Sequence, residues 1–220
     1  MEKVKRKISR THVIAFIISS LLFFVGILMG LQFSYYGMSE VDKGFEELKN
    51  DEYIMEILML TDESDELSCG FYDHQLAKFS FDTWEFGRML DRAENAKGKL
   101  DPEVMQLKSS YSLMQFRDSL LLKQIKTKCN ISKIIIYYFY SNGEDYDPRT
   151  DQGKVLDMIW GSNPSGVAIY SFDINAKSPV IDLMREKHNI TSVPTMIIND
   201  EKYEGYMEYD ELNEIIKTKL

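Results

Sequence analysis

The longest uninterrupted apolar pattern lies near the N-terminus. Residues 13–33 read VIAFIISSLLFFVGILMGLQF, a run of 21 residues without a charged side chain. An α-helix rises about 1.5 Å per residue, so this run would be roughly 31 Å long, which matches the hydrocarbon core of a bilayer. The pattern predicts an uncleaved transmembrane helix. A cleaved signal peptide, whose apolar region is usually about 7–15 residues, and a buried helix are the alternatives.

Between residues 34 and 131 the apolar positions recur at the spacing of amphipathic helices. Helices are predicted over residues 39–60, over residues 71–95 and from Asp101 onward. Asp101 is a favourable N-cap, and Pro102 suits the first position of a helix because its missing N–H would have no partner there.

Two of these helices carry an apolar stripe with one acidic interruption each. Glu52 interrupts the stripe of the first helix, and Asp118 interrupts that of the third. We expect a helical stalk that packs against the rest of the chain, with a coiled-coil segment that forms a homodimer as the alternative. The stripe residues are Val41, Phe45, Leu48 and Met55 in the first helix, and Val104, Leu107, Tyr111, Met114, Leu121 and Ile125 in the third.

After residue 131 the pattern changes to short β-branched and aromatic runs that alternate with helical spacing. The first run, IIIYYFY, is typical of a buried strand. The predicted order is β-α-β-α-β-β-α, an α/β fold. The strands are expected at residues 134–140, 166–173, 193–198 and around Tyr203, and the helices at residues 147–160 and 178–187 and at the C-terminus.

Charge is distributed unevenly along the chain. The first 12 residues carry a net charge of +4, and the remaining 208 carry −13. The positive-inside rule therefore predicts a cytoplasmic N-terminus with everything after the apolar run outside the cytoplasm. An acidic body repels phosphate backbones, so no binding of nucleic acid is expected. The predicted organisation is a basic tail (1–12), a transmembrane helix (13–33), a helical stalk (34–131) and an α/β domain (132–220).

The order of elements, together with the stretch NITSVPTMIIN at residues 189–199, resembles the thioredoxin superfamily. In that family a helix leads into a loop whose proline is cis, and an apolar strand follows directly. The resemblance implies a thioredoxin-like fold over residues 132–220 and a cis bond between Val193 and Pro194.

The resemblance also shows where a redox dithiol would lie. In the family it stands at the N-terminus of the first helix, where the helix dipole stabilises a thiolate. Here Tyr146, Asp147, Pro148 and Arg149 fall on that tetrapeptide, and neither outer position carries sulfur. Tyrosine is no leaving group for disulfide exchange, so dithiol catalysis from this loop is excluded. Asp147 is instead predicted to cap a helix that starts at Pro148.

What the resemblance leaves is a surface for binding. The residue before the cis-proline, here Val193, pairs through its backbone with an extended polypeptide in the family. We expect Tyr146, Asp147, Pro148, Arg149, Val193 and Pro194 to form a site for a polypeptide client or partner. With Arg149 as its cation, this surface would suit an acidic extended segment. A structural subunit of a membrane complex is an alternative function.

The two cysteines stand apart from that loop. An even number of cysteines in an oxidising compartment favours a structural disulfide between Cys69 and Cys129. A redox-active pair, which would make the protein a thiol-disulfide oxidoreductase, and two free thiols are the alternatives. The three histidines are far apart in sequence and no metal-ligand spacing is present, so neither a metal nor a cofactor is expected.

Overall fold

The computed structural model describes residues 10–60, 66–142 and 151–219. The chain divides into two compact units, Met1–Glu40 and Val41–Leu220. The sequence-based boundary between residues 131 and 132 falls inside the second unit. There the helices and the sheet share one hydrophobic cluster, which is why contacts do not separate them.

The first helix, α1, spans Arg10–Leu60. Its segment Arg10–Gly30 is 21 residues long and none of that segment is buried within the chain. It is apolar enough to cross a membrane, and its exposed side chains include Phe16, Leu22 and Phe24. Large apolar side chains that find no partner within a chain are typical of a helix that faces lipid.

In the second unit, the end of α1 is followed by α2 (Glu66–Lys97) and α3 (Pro102–Cys129). The predicted start of α3 is confirmed, because the Asp101 carboxylate accepts hydrogen bonds from the backbone N–H groups of Glu103 and Val104. The connection between α2 and α3 turns at Gly98, whose φ of 110° is unstrained only for glycine. The two helices form a hairpin that we call the α2–α3 hairpin.

The sheet has four strands in the order β2-β1-β3-β4. Strands β1 and β2 are parallel, and β3 and β4 add in antiparallel fashion. Helix α4 (Gln152–Ser162) connects β1 to β2, α5 (Pro179–Lys187) connects β2 to β3, and α6 (Tyr209–Lys219) ends the chain. The predicted order β-α-β-α-β-β-α is thus confirmed. The strands are β1 (Ile134–Tyr140), β2 (Val167–Asp173), β3 (Thr195–Ile198) and β4 (Glu201–Glu204).

Alternate residues of β1 supply two hydrophobic layers, as the two-residue period of a strand requires. Ile135, Tyr137 and Phe139 pack against α5 and the α2–α3 hairpin. Ile134 and Ile136 pack on the opposite face, against α4 and α6. The continuous apolar run IIIYYFY is explained by burial on both faces.

The boundaries that differ from the sequence-based prediction include the starts of α4 and β3. Helix α4 begins at Gln152, not at Asp147, because the Asp151 side chain caps it by accepting the N–H of Gly153 at 3.1 Å. Strand β3 begins at Thr195, because the residues before it form a loop with a cis peptide bond.

Candidate functional site

The peptide bond between Val193 and Pro194 is cis, as predicted. The other predicted site residues, Tyr146, Asp147, Pro148 and Arg149, lie outside the described residues. Their role in a site therefore stays a prediction. The structure describes the residues that flank them, Asn142 two residues after β1 and Asp151 as the N-cap of α4.

The cis-proline loop opens into a cleft of about 820 Å³. Val193 and Pro194 line it together with Asn142 and Asp151, so the loop and both flanks of residues 143–150 meet at one place. The α2–α3 hairpin supplies much of the remaining lining, and sequence reasoning treated this region as part of a helical stalk and not as part of this site. A cleft of this size is within the range that holds small ligands or a few side chains of a peptide.

An aromatic pair forms one end of this wall. Trp84 of α2 stacks on Trp160 of α4, with ring centroids 4.9 Å apart and planes 12° apart. The Trp84 indole N–H donates to Asp157 at 3.3 Å, and Arg88 lies over the Trp84 ring at 4.9 Å. The stack joins the helical hairpin to the helix that follows β1, which fixes the width of the cleft at this end.

A buried lysine lies where the hairpin meets the sheet. The Lys108 ammonium forms ion pairs with Glu94 and with Asp173, the latter at 2.6 Å, and all three side chains are almost fully buried. Desolvation lowers the pKa of Lys108, and the Asp173 charge opposes that shift. Asn142 completes the cluster by donating to Glu94 at 2.8 Å. Because both carboxylates hold Lys108, it is not available as a cation for a ligand.

The acidic interruption in the α3 stripe is also explained. Asp118 is buried and accepts a hydrogen bond from the Tyr170 hydroxyl of β2. Burial raises the pKa of Asp118 to about 6, and the hydrogen bond from Tyr170 opposes that rise. Glu52 behaves alike: burial raises its pKa to about 7, against the lowering effect of Arg117 at 3.4 Å. Breaks in an apolar stripe were thus the sequence signal for buried polar positions.

A short chain of hydrogen bonds crosses the wall between α3 and α2. The Tyr111 hydroxyl donates to the backbone carbonyl of Thr83 at 2.9 Å. Burial raises the pKa of the Tyr111 hydroxyl, and the Gln115 side chain opposes that rise. Within the described residues, Gln115 Oε1 and Thr83 Oγ1 are buried and have no hydrogen-bond partner. Both residues line the cleft.

Cys69 and Cys129 form a disulfide, with Cα atoms 5.5 Å apart. It links the start of α2 to the end of α3, and neither cysteine is among the described residues that line the cleft. The pairing that the sequence favoured is therefore present in the structure.

The described lining of the cleft offers hydrogen-bonding groups and charges, but no sulfur. In the parts of the chain that the structure describes, no group of three His, Cys, Asp or Glu side chains could hold a metal ion. The arrangement is suited to binding, with aromatic rings at one end and buried polar atoms on the wall.

The sequence family described as Thioredoxin matches residues 173–218, which run from the end of β2 through the cis-proline loop to α6. No curated protein sequence matches the chain.

Several solved thioredoxins are similar to part of the chain. A malaria parasite thioredoxin-2, described as a component of the parasite's protein secretion machinery, is 18% identical, with a TM-score of 0.33 over 39% of this chain and 82% of that one. Chloroplastic thioredoxin z is 17% identical, with a TM-score of 0.35 over 44% and 86%. A thioredoxin from Fasciola hepatica is 15% identical, with a TM-score of 0.35 over 46% and 94%.

The family match covers the elements around the cis-proline, and the sheet order and the cis bond agree with it. The chain therefore contains a thioredoxin-superfamily segment, built as a thioredoxin-like α/β fold.

Proposed function

We propose that this protein is a membrane-anchored, extracytoplasmic module that binds a polypeptide client or partner in the cleft beside Pro194. The observation that carries the proposal is the cleft of about 820 Å³, which Val193 and Pro194 line together with residues of the α2–α3 hairpin. Backbone next to a cis-proline can pair with an extended chain, and the hairpin would cover that chain from the other side.

Redox catalysis is not part of this proposal. The sequence has no cysteine between β1 and α4, where the family resemblance predicts that Tyr146 and Arg149 take the positions of the dithiol. The disulfide between Cys69 and Cys129 has no residue in the described lining of the cleft. The disulfide instead pins the open end of the hairpin that forms the cleft wall. The function that remains for the cleft is non-covalent binding.

Gly87 permits a direct test of the cleft. It lines the cleft on α2, and a Cβ atom built on it would meet nothing within 4 Å. Gly87→Leu should therefore block the cleft without a clash, and leucine favours a helix over glycine by about 0.8 kcal/mol. Gly70→Leu is the matched control, because Gly70 is also on α2, has equally open space, and is not among the described lining residues.

The measurement is binding of degenerate pools of extended peptides to the full-length protein in nanodiscs. We expect Gly87→Leu to abolish binding and Gly70→Leu to leave it unchanged. If both variants bind the peptides as tightly as the native protein does, the peptides dock elsewhere. If neither the native protein nor the control binds any peptide, the proposed function is contradicted.

The membrane part of the proposal has its own support. Helix segment Arg10–Gly30 is long and apolar enough to span a bilayer, and basic residues precede it. A disulfide is favoured in an oxidising compartment, which agrees with an outside location for residues 34–220. Protease added to intact cells or spheroplasts should digest the C-terminal part, whereas full protection would contradict the orientation.

A further inference from the structure

The described lining of the cleft contains five basic residues, two of which are Lys99 and Lys133, and the other three are engaged within the chain as follows. Lys108 is held by Glu94 and Asp173, and Lys154 pairs with Asp151 at 3.3 Å. Arg88 lies over the Trp84 ring. Lys108, Lys154 and Arg88 could each take an anionic ligand only by breaking one of these interactions.

The acidic groups at the mouth of the cleft are less completely matched. Asp91 and Asp157 are exposed lining residues. Among the described residues, Asp91 has no ion-pair or hydrogen-bond partner, and Asp157 accepts only from the neutral indole of Trp84. The Arg88 charge acts on both carboxylates, but neither forms an ion pair among the described residues, and they leave a negative potential at the entrance that attracts a positively charged ligand.

The buried wall points to a hydrogen-bond donor. Gln115 is 2% exposed and its Oε1 atom has no partner in the described structure. An amide oxygen accepts hydrogen bonds and cannot donate them. Thr83, 7% exposed, presents a second oxygen without a partner. Leaving a buried acceptor unsatisfied is costly, so a native structure normally provides a donor, which here can be a ligand group or a water molecule.

From these two observations we propose that the cleft takes a basic side chain, arginine or lysine, carried by an extended segment of the partner polypeptide. Such a side chain has several N–H donors and no acceptor, so it matches Gln115 Oε1 and Thr83 Oγ1 in the wall and Asp91 and Asp157 at the mouth. The sign is opposite to the acidic segment that Arg149 alone suggests. This inference rests on the proposed function, because it names the chemistry of the ligand in the same cleft.

Three degenerate peptide pools with a fixed central arginine, citrulline or glutamate test the inference, with the full-length protein in nanodiscs. Citrulline keeps the shape of arginine and removes the charge. We expect the arginine pool to bind about tenfold more tightly than the citrulline pool, and the glutamate pool to bind weakest. The preference should decrease at high salt, because the mouth carboxylates are exposed. Lysine in place of arginine should retain most of the affinity.

Two variants locate the effect. Gln115→Met removes the buried acceptor, so arginine-pool binding should fall about tenfold while thermal stability does not fall. A loss of stability with unchanged binding would show a purely structural Gln115 and overturn the inference. Asp157→Asn should reduce binding about threefold at low salt. Asp210→Asn, an exposed change on α6 outside the described lining, should have no effect.

The remaining outcomes are also decisive. Equal affinity for the three pools overturns the inference and leaves peptide binding in the cleft intact, whereas binding of no pool overturns both. Free agmatine, a guanidinium without a peptide, is the last arm. If it binds as tightly as the arginine pool, the ligand is a small cation and the polypeptide carrier is wrong. If water molecules alone donate to the buried oxygens of the wall, Gln115→Met should bind the arginine pool as well as the native protein does, which also overturns the inference.

Discussion

The two faces of the sheet are covered in different ways. The face beneath α4 and α6 is an apolar layer in which Ile159 and Leu212 contact the strands. The face beneath α5 and the α2–α3 hairpin has an apolar cluster as well, but its helices also bury most of the chain's interior polar groups. Those that α1, α2 and α3 contribute are Glu52, Thr83, Glu94, Lys108, Ser112, Gln115, Asp118 and Ser119.

The difference separates scaffold from function. An apolar layer gains stability from burial and needs no particular partner. A buried charge costs free energy unless it is paired. A layer with several buried charges therefore needs partners at fixed positions, and stability alone does not require such an arrangement. The cleft lies on the side of the polar layer, and the following predictions ask whether the two layers can be changed independently.

The largest effect should come from the link at the end of the hairpin. Cys69→Ser combined with Cys129→Ser opens a loop with a sequence separation of 60 residues. In the chain-entropy description a disulfide of that span stabilises by about 4 kcal/mol. We expect the free energy of unfolding to fall by about that amount. The measurement is a denaturant titration of the full-length protein in nanodiscs that follows the unfolding of residues 41–220.

The control for this variant is the native protein with its disulfide reduced, which should lose the same stability. If the double variant kept its stability but lost peptide binding, the disulfide would be functional and its structural role would be wrong.

The apolar layer should tolerate damage without loss of binding. Leu212→Ala removes a fully buried side chain from α6 and should cost about 3 kcal/mol of unfolding free energy. Peptide affinity, measured where the variant is still folded, should stay within twofold of the native value. Leu120→Ala is the matched control, because Leu120 is exposed on α3 and should cost little. A large loss of affinity in folded Leu212→Ala protein would show that the layers are coupled.

A smaller and pH-dependent effect is expected in the polar layer. Burial raises the pKa of Glu52 to about 7 from its ordinary value of 4.5, so the folded state binds the proton more tightly than the unfolded state does. Stability contributed by the protonated form is complete below about pH 4.5 and is lost as the pH rises through 7. Glu52→Gln should therefore be more stable than the native protein at pH 8, by roughly 2 kcal/mol after screening by solvent around Arg117, and equal to it at pH 4.

Thermal unfolding at the two pH values measures this difference. Glu47→Gln on the exposed side of α1 is the control and should show no such gain. A gain of the same size at both pH values, or a loss at pH 8, would contradict the assignment of the effect to a buried carboxyl group.

Much of the fold follows from sequence because the local patterns agree with the final packing. IIIYYFY becomes a strand that is buried on both faces, and Asp101 with Pro102 marks the start of α3. The cis bond at Pro194 came from a family resemblance, since nothing in the local pattern requires it.

The site was only half predictable. Val193 and Pro194 were assigned to it, whereas Trp84, Lys108 and Gln115 were not, because a periodic pattern tells which residues are buried and not what they face. The start of α4 was also misplaced. Both Asp147 and Asp151 are good N-caps, and local sequence does not decide between them.

The smallest expected signal is the absence of dithiol chemistry. The full-length protein in nanodiscs should not accelerate dithiothreitol-driven reduction of insulin above background, because Tyr146 and Arg149 cannot exchange disulfides. An ordinary thioredoxin serves as the positive control. A comparable rate that disappears in the Cys69→Ser, Cys129→Ser variant would favour the oxidoreductase alternative.

The most direct test of the central claim is site-specific photo-crosslinking of the protein in its own membrane. A photoreactive amino acid replaces Lys154, an exposed lining residue of the cleft, or Lys217, an exposed residue of α6 outside the described lining. We expect crosslinks to a polypeptide from position 154, which are competed by peptides that bind the purified protein and are lost in Gly87→Leu, and few crosslinks from position 217. Crosslinks from position 217 alone, or crosslinks from 154 that persist in Gly87→Leu, would contradict the central claim.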